Sequence, residues 1–177
     1  MPLPIQRSEV VFRGRVFRVR RDWVQRADGR VVTWDVVEHH GAVTMVPVDE
    51  DGQVWFVRQY RHAVGETILE FPAGTLEPGE APLACAQREL AEEIGRAAAR
   101  WTRLGAFYLA PGYSTEHMVV FLARDLRPAQ AALDADEILR PERYPIAEVD
   151  QWMRDGRIRD AKTLAAWLLA RPHLGLD

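Results

Sequence analysis

The residues best placed to do chemistry together are Glu80, Glu89, Glu92 and Glu93. On a helix, Glu89 and Glu93 stand one turn apart and project to nearly the same side, with Glu92 close by and Glu80 near the helix start. Like charges at that spacing oppose helix formation by a few tenths of a kcal/mol per pair, so the arrangement needs a cation or another reason to tolerate the repulsion. A hard divalent ion provides one. Carboxylate oxygens suit Mg²⁺ or Mn²⁺, whereas zinc recruits histidine or cysteine, and the acidic side of this helix carries neither. Arg88, four residues before Glu92, can pair with that acid and hold it in position. The competing explanation is a solvated acidic face, which is the commoner origin of such a cluster on an arbitrary helix. The preceding segment changes that balance. Phe71-Pro72-Ala73-Gly74 followed by Glu77-Pro78-Gly79-Glu80 is a Gly- and Pro-punctuated loop that runs into the helix, as bringing a backbone carbonyl and a helix face to one ion requires.

The elements that must position these groups follow from periodicity. Ala81 to Ile94 has helical spacing, with Leu83, Ala86, Leu90 and Ile94 on one side and Gly95 at the stop. From Val10 to Trp34 apolar and polar residues alternate about an Asp28-Gly29 turn, which predicts an N-terminal hairpin. Strands are expected at 41–48, 53–60, 104–109 and 118–123, with helices at 145–154 and 160–171. Between the last two strands, Pro111-Gly112 keeps 110–117 a loop. Alanine patches at Ala97 to Ala99 and Ala129 to Ala132 are too short for low complexity. The expectation is an α+β unit, a mostly antiparallel sheet sandwiched by helices.

Composition narrows the function classes. The 177 residues, 47% hydrophobic, suit one compact domain. A net charge of -3 offers no excess positive charge for nucleic acid, and no apolar run is long enough to span a bilayer. Cys85 is the only cysteine, which excludes an intramolecular disulfide and accords with a cytoplasmic protein. It lies among alanines in the helical segment, where a buried inert thiol is expected.

The stretch from Gly74 to Gly95 resembles the Nudix box, G-x5-E-x7-R-E-U-x-E-E-x-G-U, at all seven fixed positions: Gly74, Glu80, Arg88, Glu89, Glu92, Glu93 and Gly95. With each residue type at about 6 to 7 per cent of ordinary composition, a chance match has a probability of roughly one in a million. The last position, Arg96, departs from the aliphatic residue of the pattern without removing a metal ligand. The resemblance implies the Nudix α/β/α sandwich with a mixed sheet. It implies Glu89 and Glu93 as main metal ligands, with the Ala73 carbonyl and Glu92 as further ligands or water-holders. Glu80 and Arg88 would brace them. Two or three Mg²⁺ ions, or Mn²⁺ in their place, are the implied cofactors.

Outside the box the chain resembles the ADP-ribose pyrophosphatase subgroup. Pro111 lies sixteen residues after Gly95, and Pro111 to Glu116 is similar to the loop that carries a catalytic glutamate there, which makes Glu116 the implied base, with Glu92 the alternative. Val57-Arg58-Gln59-Tyr60-Arg61 before Leu69-Glu70-Phe71 resembles the same subgroup, so Arg58, Arg61 and Glu70 become candidate substrate contacts, and a structural ion pair is the alternative for either arginine. Thr33-Trp34-Asp35 resembles the segment with an adenine-stacking aromatic, with Phe17 as a second stacking surface. Residues 1–40 would then form an extension for dimerisation and base binding, and 41–177 the hydrolase domain, in a homodimer. The implied reaction is metal-dependent hydrolysis of ADP-ribose to AMP and ribose 5-phosphate. GDP-mannose, NADH and dinucleoside polyphosphates share the diphosphate and are alternatives, and a nucleotide-sugar sensor that no longer cleaves is the alternative from another class.

Overall fold

The computed structural model describes residues 3–130 and 139–176, so the end of the second alanine patch, Ala131 and Ala132, lies outside them. The chain divides into two compact units, Met1–Gly41 with Tyr108–His117, and Ala42–Phe107 with Met118–Asp177. A cut at residue 40 does not anticipate that the 108–117 loop joins the N-terminal unit.

That unit is a three-stranded antiparallel meander, not a single hairpin: β1 (Ile5–Arg13), β2 (Phe17–Gln25) and β3 (Val31–His39) in the order β1-β2-β3. The Asp28-Gly29 turn falls where expected, with Arg26 N–H bonded to the Arg30 carbonyl at 2.8 Å and Gly29 at φ 82. The additional strand, Ile5–Arg13, is mostly exposed and does not alternate, and the chain reverses at Gly14, whose N–H reaches the Phe17 carbonyl at 2.9 Å. Polar contacts within and across the strands help hold the meander. Arg21 grips Asp35 at 2.7 and 2.9 Å, while buried Asp22 accepts from Arg20 at 2.8 Å and from Ser8 at 2.5 Å.

The second unit holds two sheets where one was expected. β4 (Ala42–Pro47), β7 (Ala73–Thr75), β8 (Arg96–Tyr108) and β9 (His117–Pro128) form a sheet in the order β7-β4-β9-β8. Its centre, β4 against β9, is parallel. β5 (Gln53–Arg61), β6 (Glu66–Glu70) and β10 (Leu139–Pro145) form an antiparallel sheet in the order β10-β5-β6. Helices cover both faces. Val43, Met45, Val119 and Phe121 pack with Ala86, Leu90 and Ile94 of α1 (Pro82–Ile94), while Val46, Val120, Leu122 and Phe71 pack with Val149 of α2 (Ile146–Asp155) and Trp167 of α3 (Ala161–Ala170). Alternate residues of β4 and β9 therefore serve opposite cores, which explains their nearly unbroken apolar sequences. The α+β sandwich is thus as expected, and no helix among the described residues is long and apolar enough to cross a membrane.

Three local differences have physical causes. Leu83 is exposed, and Cys85 takes its place on the buried side of α1. β8 begins at Arg96, because Gly95 in the left-handed region (φ 63) ends α1 and the chain leaves it already extended; alanines at 97–99 hide this strand from propensity. The Arg96 guanidinium lies 4.8 Å from the Trp55 ring centre, and Asp49 holds the Trp55 indole N–H at 2.6 Å, so a cation–π contact fills the position where the motif expects an aliphatic side chain.

Candidate active site

Helix α1 presents its acids to the loop before it, and two backbone features fix where they point. At Gly74 an added Cβ would fall on Glu89 Cγ, Cδ and Oε1, far inside contact distance, so the Glu89 side chain occupies the space that any other residue would fill. Gly74 is absent from the positive-φ glycines, so the requirement is for room and not for an unusual backbone. One step earlier, the Ala73 N–H donates to Glu93 Oε2 at 2.9 Å. The loop itself is held from below, where the Pro72 carbonyl accepts from Met45 N–H at 3.0 Å and from the Thr44 hydroxyl at 3.1 Å.

Arg88 gathers the remaining acids. It reaches Glu80 through Nε and Nη2, both at 3.0 Å, and Nη1 donates to Glu89 at 2.8 Å and Glu92 at 3.1 Å. Glu80 also accepts from the Glu77 N–H at 3.0 Å, which closes the turn around Gly79. The Arg88 hydrogen bonds hold the Glu80 carboxyl at about 2, far below the usual carboxylate range, against the opposing effect of burial. Cys85 sits beneath, with Sγ 3.6 Å from the Thr75 carbonyl, and burial with the nearby Glu80 and Glu89 charges pushes its thiol up to about 12. It is inert at neutral pH.

Where the sequence suggested four acids converging on one point, three of them meet at a guanidinium and the fourth at a backbone amide. Among the described residues no three His, Cys, Asp or Glu side chains stand in a ready-made metal cage. The donor chemistry nevertheless fits a hard divalent ion: every candidate donor is oxygen, and Glu89 and Glu93 are set by the Gly74 space and the Ala73 amide.

Behind the loop lies a charged network that the sequence only partly announces. Arg61 holds Glu70 through two parallel hydrogen bonds of 2.8 and 2.6 Å, and Glu70 is 1% exposed. Lys162 binds the same carboxylate and reaches Asp160 at 2.9 Å. Asp160 caps α3 by accepting from Thr163 N–H at 3.0 Å, and the Thr163 hydroxyl accepts from Phe71 N–H at 2.9 Å. Burial opposes ionisation of Glu70, but the Arg61 hydrogen bonds and the Lys162 charge outweigh it and keep its carboxyl below the usual range. Glu70 thus grips Arg61 and Lys162. Lys162, Asp160 and Thr163 were not anticipated; the one signal was Asp160 preceding an apolar helix, an N-cap pattern. Arg58 forms a bidentate pair with Glu142 at 2.9 and 2.8 Å, and Tyr144 donates to the same carboxylate, which ties β5 to β10. That is the structural alternative considered for it.

The other candidates belong to the N-terminal unit. Trp34 lies on β3 with half its surface exposed. Phe17, 6.1 Å from the Phe12 ring, borders a hollow of about 540 Å³ with Arg15, Arg18, His39 and His40. The loop carrying Glu116 is docked and not loose: Val37 N–H donates to the Tyr113 carbonyl at 2.7 Å, Thr115 N–H to the Val37 carbonyl at 2.9 Å, and Leu109 N–H to the Glu116 carbonyl at 3.2 Å. His117 packs its ring 5.0 Å from that of Tyr108.

Comparison with known proteins identifies relatives of the whole chain. The family model described as NUDIX domain matches residues 38–167. The chain is 39% identical to the ADP-ribose pyrophosphatase of Mycobacterium tuberculosis, over 91% of this chain and 79% of that protein. It is 35% identical to the ADP-ribose pyrophosphatase of Bacillus subtilis, over 90% and 87%. A solved structure described as an ADP compounds hydrolase superposes with a TM-score of 0.87 at 29% identity, covering 99% of this chain and 95% of that one.

Proposed function

The chain belongs to the NUDIX family, and from that premise we propose that it is a cytoplasmic, metal-dependent pyrophosphohydrolase that cleaves ADP-ribose to AMP and ribose 5-phosphate. The observation that carries the chemistry is the seating of Glu89 against Gly74 and of Glu93 on the Ala73 amide. The substrate rests on relatives of similar length that are named for ADP-ribose.

Family members generally require divalent metal ions. Glu89 and Glu93 would hold Mg²⁺, or Mn²⁺ in its place, with Glu92 and the Ala73 carbonyl as further donors and two or three ions per site. Bound there, the metal supplies charge neutralisation for the diphosphate and acidifies water. The rest is done by side chains of this chain. Glu80 and Arg88 hold the acidic helix face in register. Glu116, or alternatively Glu92, accepts the proton of the attacking water. Arg61, oriented by Glu70, directs its remaining N–H groups to the diphosphate, since two parallel bonds to Glu70 leave three of its five donors. Trp34 stacks on the base, with Phe17 as a second surface, and 1–40 serves dimerisation in a homodimer.

The test is AMP release from ADP-ribose with and without Mg²⁺, with GDP-mannose as competitor. Metal-dependent hydrolysis favouring ADP-ribose supports the proposal. Turnover of GDP-mannose alone keeps the chemistry and discards the substrate, and saturable binding without turnover favours a sensor.

A further inference from the structure

Lys162 is the only lysine in the sequence, which otherwise carries 22 arginines. It is also buried, at 7% exposure, where a long cationic side chain is rarely placed. Its ammonium touches two carboxylates, Glu70 and, at 2.9 Å, Asp160. Glu70 divides its two oxygens unequally: Oε1 accepts from Arg61 Nε at 2.8 Å, whereas Oε2 accepts from both Arg61 Nη2, at 2.6 Å, and Lys162.

We propose that Lys162 is a positioning residue that acts through Glu70 on Arg61, keeping the Arg61 guanidinium both fixed in direction and electropositive toward an anionic diphosphate. The inference rests on the reading of Arg61 as a substrate contact. An isolated pair of Arg61 with the buried Glu70 would largely neutralise itself, leaving Arg61 little field to offer a phosphate. Lys162 draws part of the Glu70 charge to itself. Its own surplus is balanced by Asp160, whose charge is stabilised in turn by the N-terminus of α3 and the Thr163 N–H at 3.0 Å. The quartet is neutral as a whole but graded, with a cation at the Arg61 end and an anion at the helix end. Arginine at 162 would keep the charge, whereas a neutral side chain would not.

The experiment is a double-mutant cycle on the full chain, with KM and kcat for ADP-ribose measured separately and folding followed by thermal unfolding. Lys162→Gln, which keeps a donor to Glu70 but removes the charge, should raise KM about tenfold with kcat within about threefold. Lys162→Arg should restore most of the loss. In an Arg61→Ala background, Lys162→Gln should change KM by less than about twofold. Asp160→Asn, which retains the cap, should leave KM unchanged or lower it, and it provides the test if Lys162→Gln does not fold. An unaltered KM in Lys162→Gln, an equal effect in both backgrounds, or a tenfold rise in Asp160→Asn overturns the proposal. A normal KM in Arg61→Ala instead overturns the reading of Arg61 itself, so the two failures are distinguishable.

Discussion

A methyl group on Gly74 is expected to remove most of the activity while leaving most of the stability. The backbone there is ordinary strand, so alanine meets no conformational penalty and the whole effect is steric. The added Cβ falls on Glu89 Cγ, Cδ and Oε1, below the 3.0 Å that real Cβ contacts respect. Restoring ordinary contact moves the carboxylate by more than about 1 Å, and a misplacement of that size costs on the order of 100-fold in rate. The stability cost is smaller, because the displaced atoms are the end of a flexible side chain. An off-rotamer Glu89 costs about 0.5–1.5 kcal/mol and the weakened Arg88–Glu89 pair about 0–1 kcal/mol. The lower entropy of alanine in the unfolded chain returns about 0.4–1 kcal/mol. The net cost is then at most about 2 kcal/mol, and the Tm shift should stay within about 8 °C. The assay is kcat for AMP release at saturating divalent metal, beside thermal melts, for Gly74→Ala, Glu89→Gln and the double variant. Because both changes act on one carboxylate, the double variant should be no slower than the worse single one by more than about threefold. A folded Gly74→Ala with more than about a third of wild-type kcat, or a double variant showing the product of the two losses, would refute the steric account.

Glu93→Gln should lower turnover by several orders of magnitude with the fold intact, since it weakens a metal donor while relieving repulsion on α1; near-normal activity would sink the assignment. For Arg88→Met the effect is pH-dependent. Glu80 is held at about 2 in the folded chain, below its ordinary 4.5, so the pair stabilises above pH 4.5 and loses that contribution as pH falls toward 2. The variant should be less stable by about 1–3 kcal/mol at pH 7 and converge with wild type near pH 2, whereas a gap independent of pH would contradict the ion-pair origin. Trp34→Ala should raise KM for ADP-ribose about tenfold with little change in kcat or Tm, because the ring is half exposed and stacking acts on ground and transition states alike. An unfolded variant would instead make Trp34 a packing residue.

The acidic helix was legible because its constraints are local. Gly74, Glu80, Arg88, Glu89, Glu92, Glu93 and Gly95 act on one another within a loop and a few turns, so fixed spacing records them. The reason for Gly74 was not legible, since it depends on where the Glu89 side chain falls. The brace from Thr163 to Phe71 and from Lys162 to Glu70 joins residues far apart in the chain, and nothing in periodicity marks such pairs. Among strands, β4 and β9 were visible from their apolar runs, whereas β7 is three residues long and the alanines at the start of β8 carry no strand preference. The N-terminal meander was read as a hairpin because its first turn, at Gly14, lacks the Asp-Gly signature present at Asp28-Gly29.

The parallel pairing of β4 with β9 has a consequence for how the protein is made. Ala42 meets Met118, so the centre of the sheet cannot close while the ribosome is still adding the segment between them. The acidic helix therefore emerges before the strand that completes the wall behind it. The amide of Phe71 waits longer still, for the hydroxyl of Thr163, 92 residues later. The loop that seats Glu89 and Glu93 is therefore braced only once α3 has been made, and a chain that stops short of Thr163 lacks that hydrogen bond.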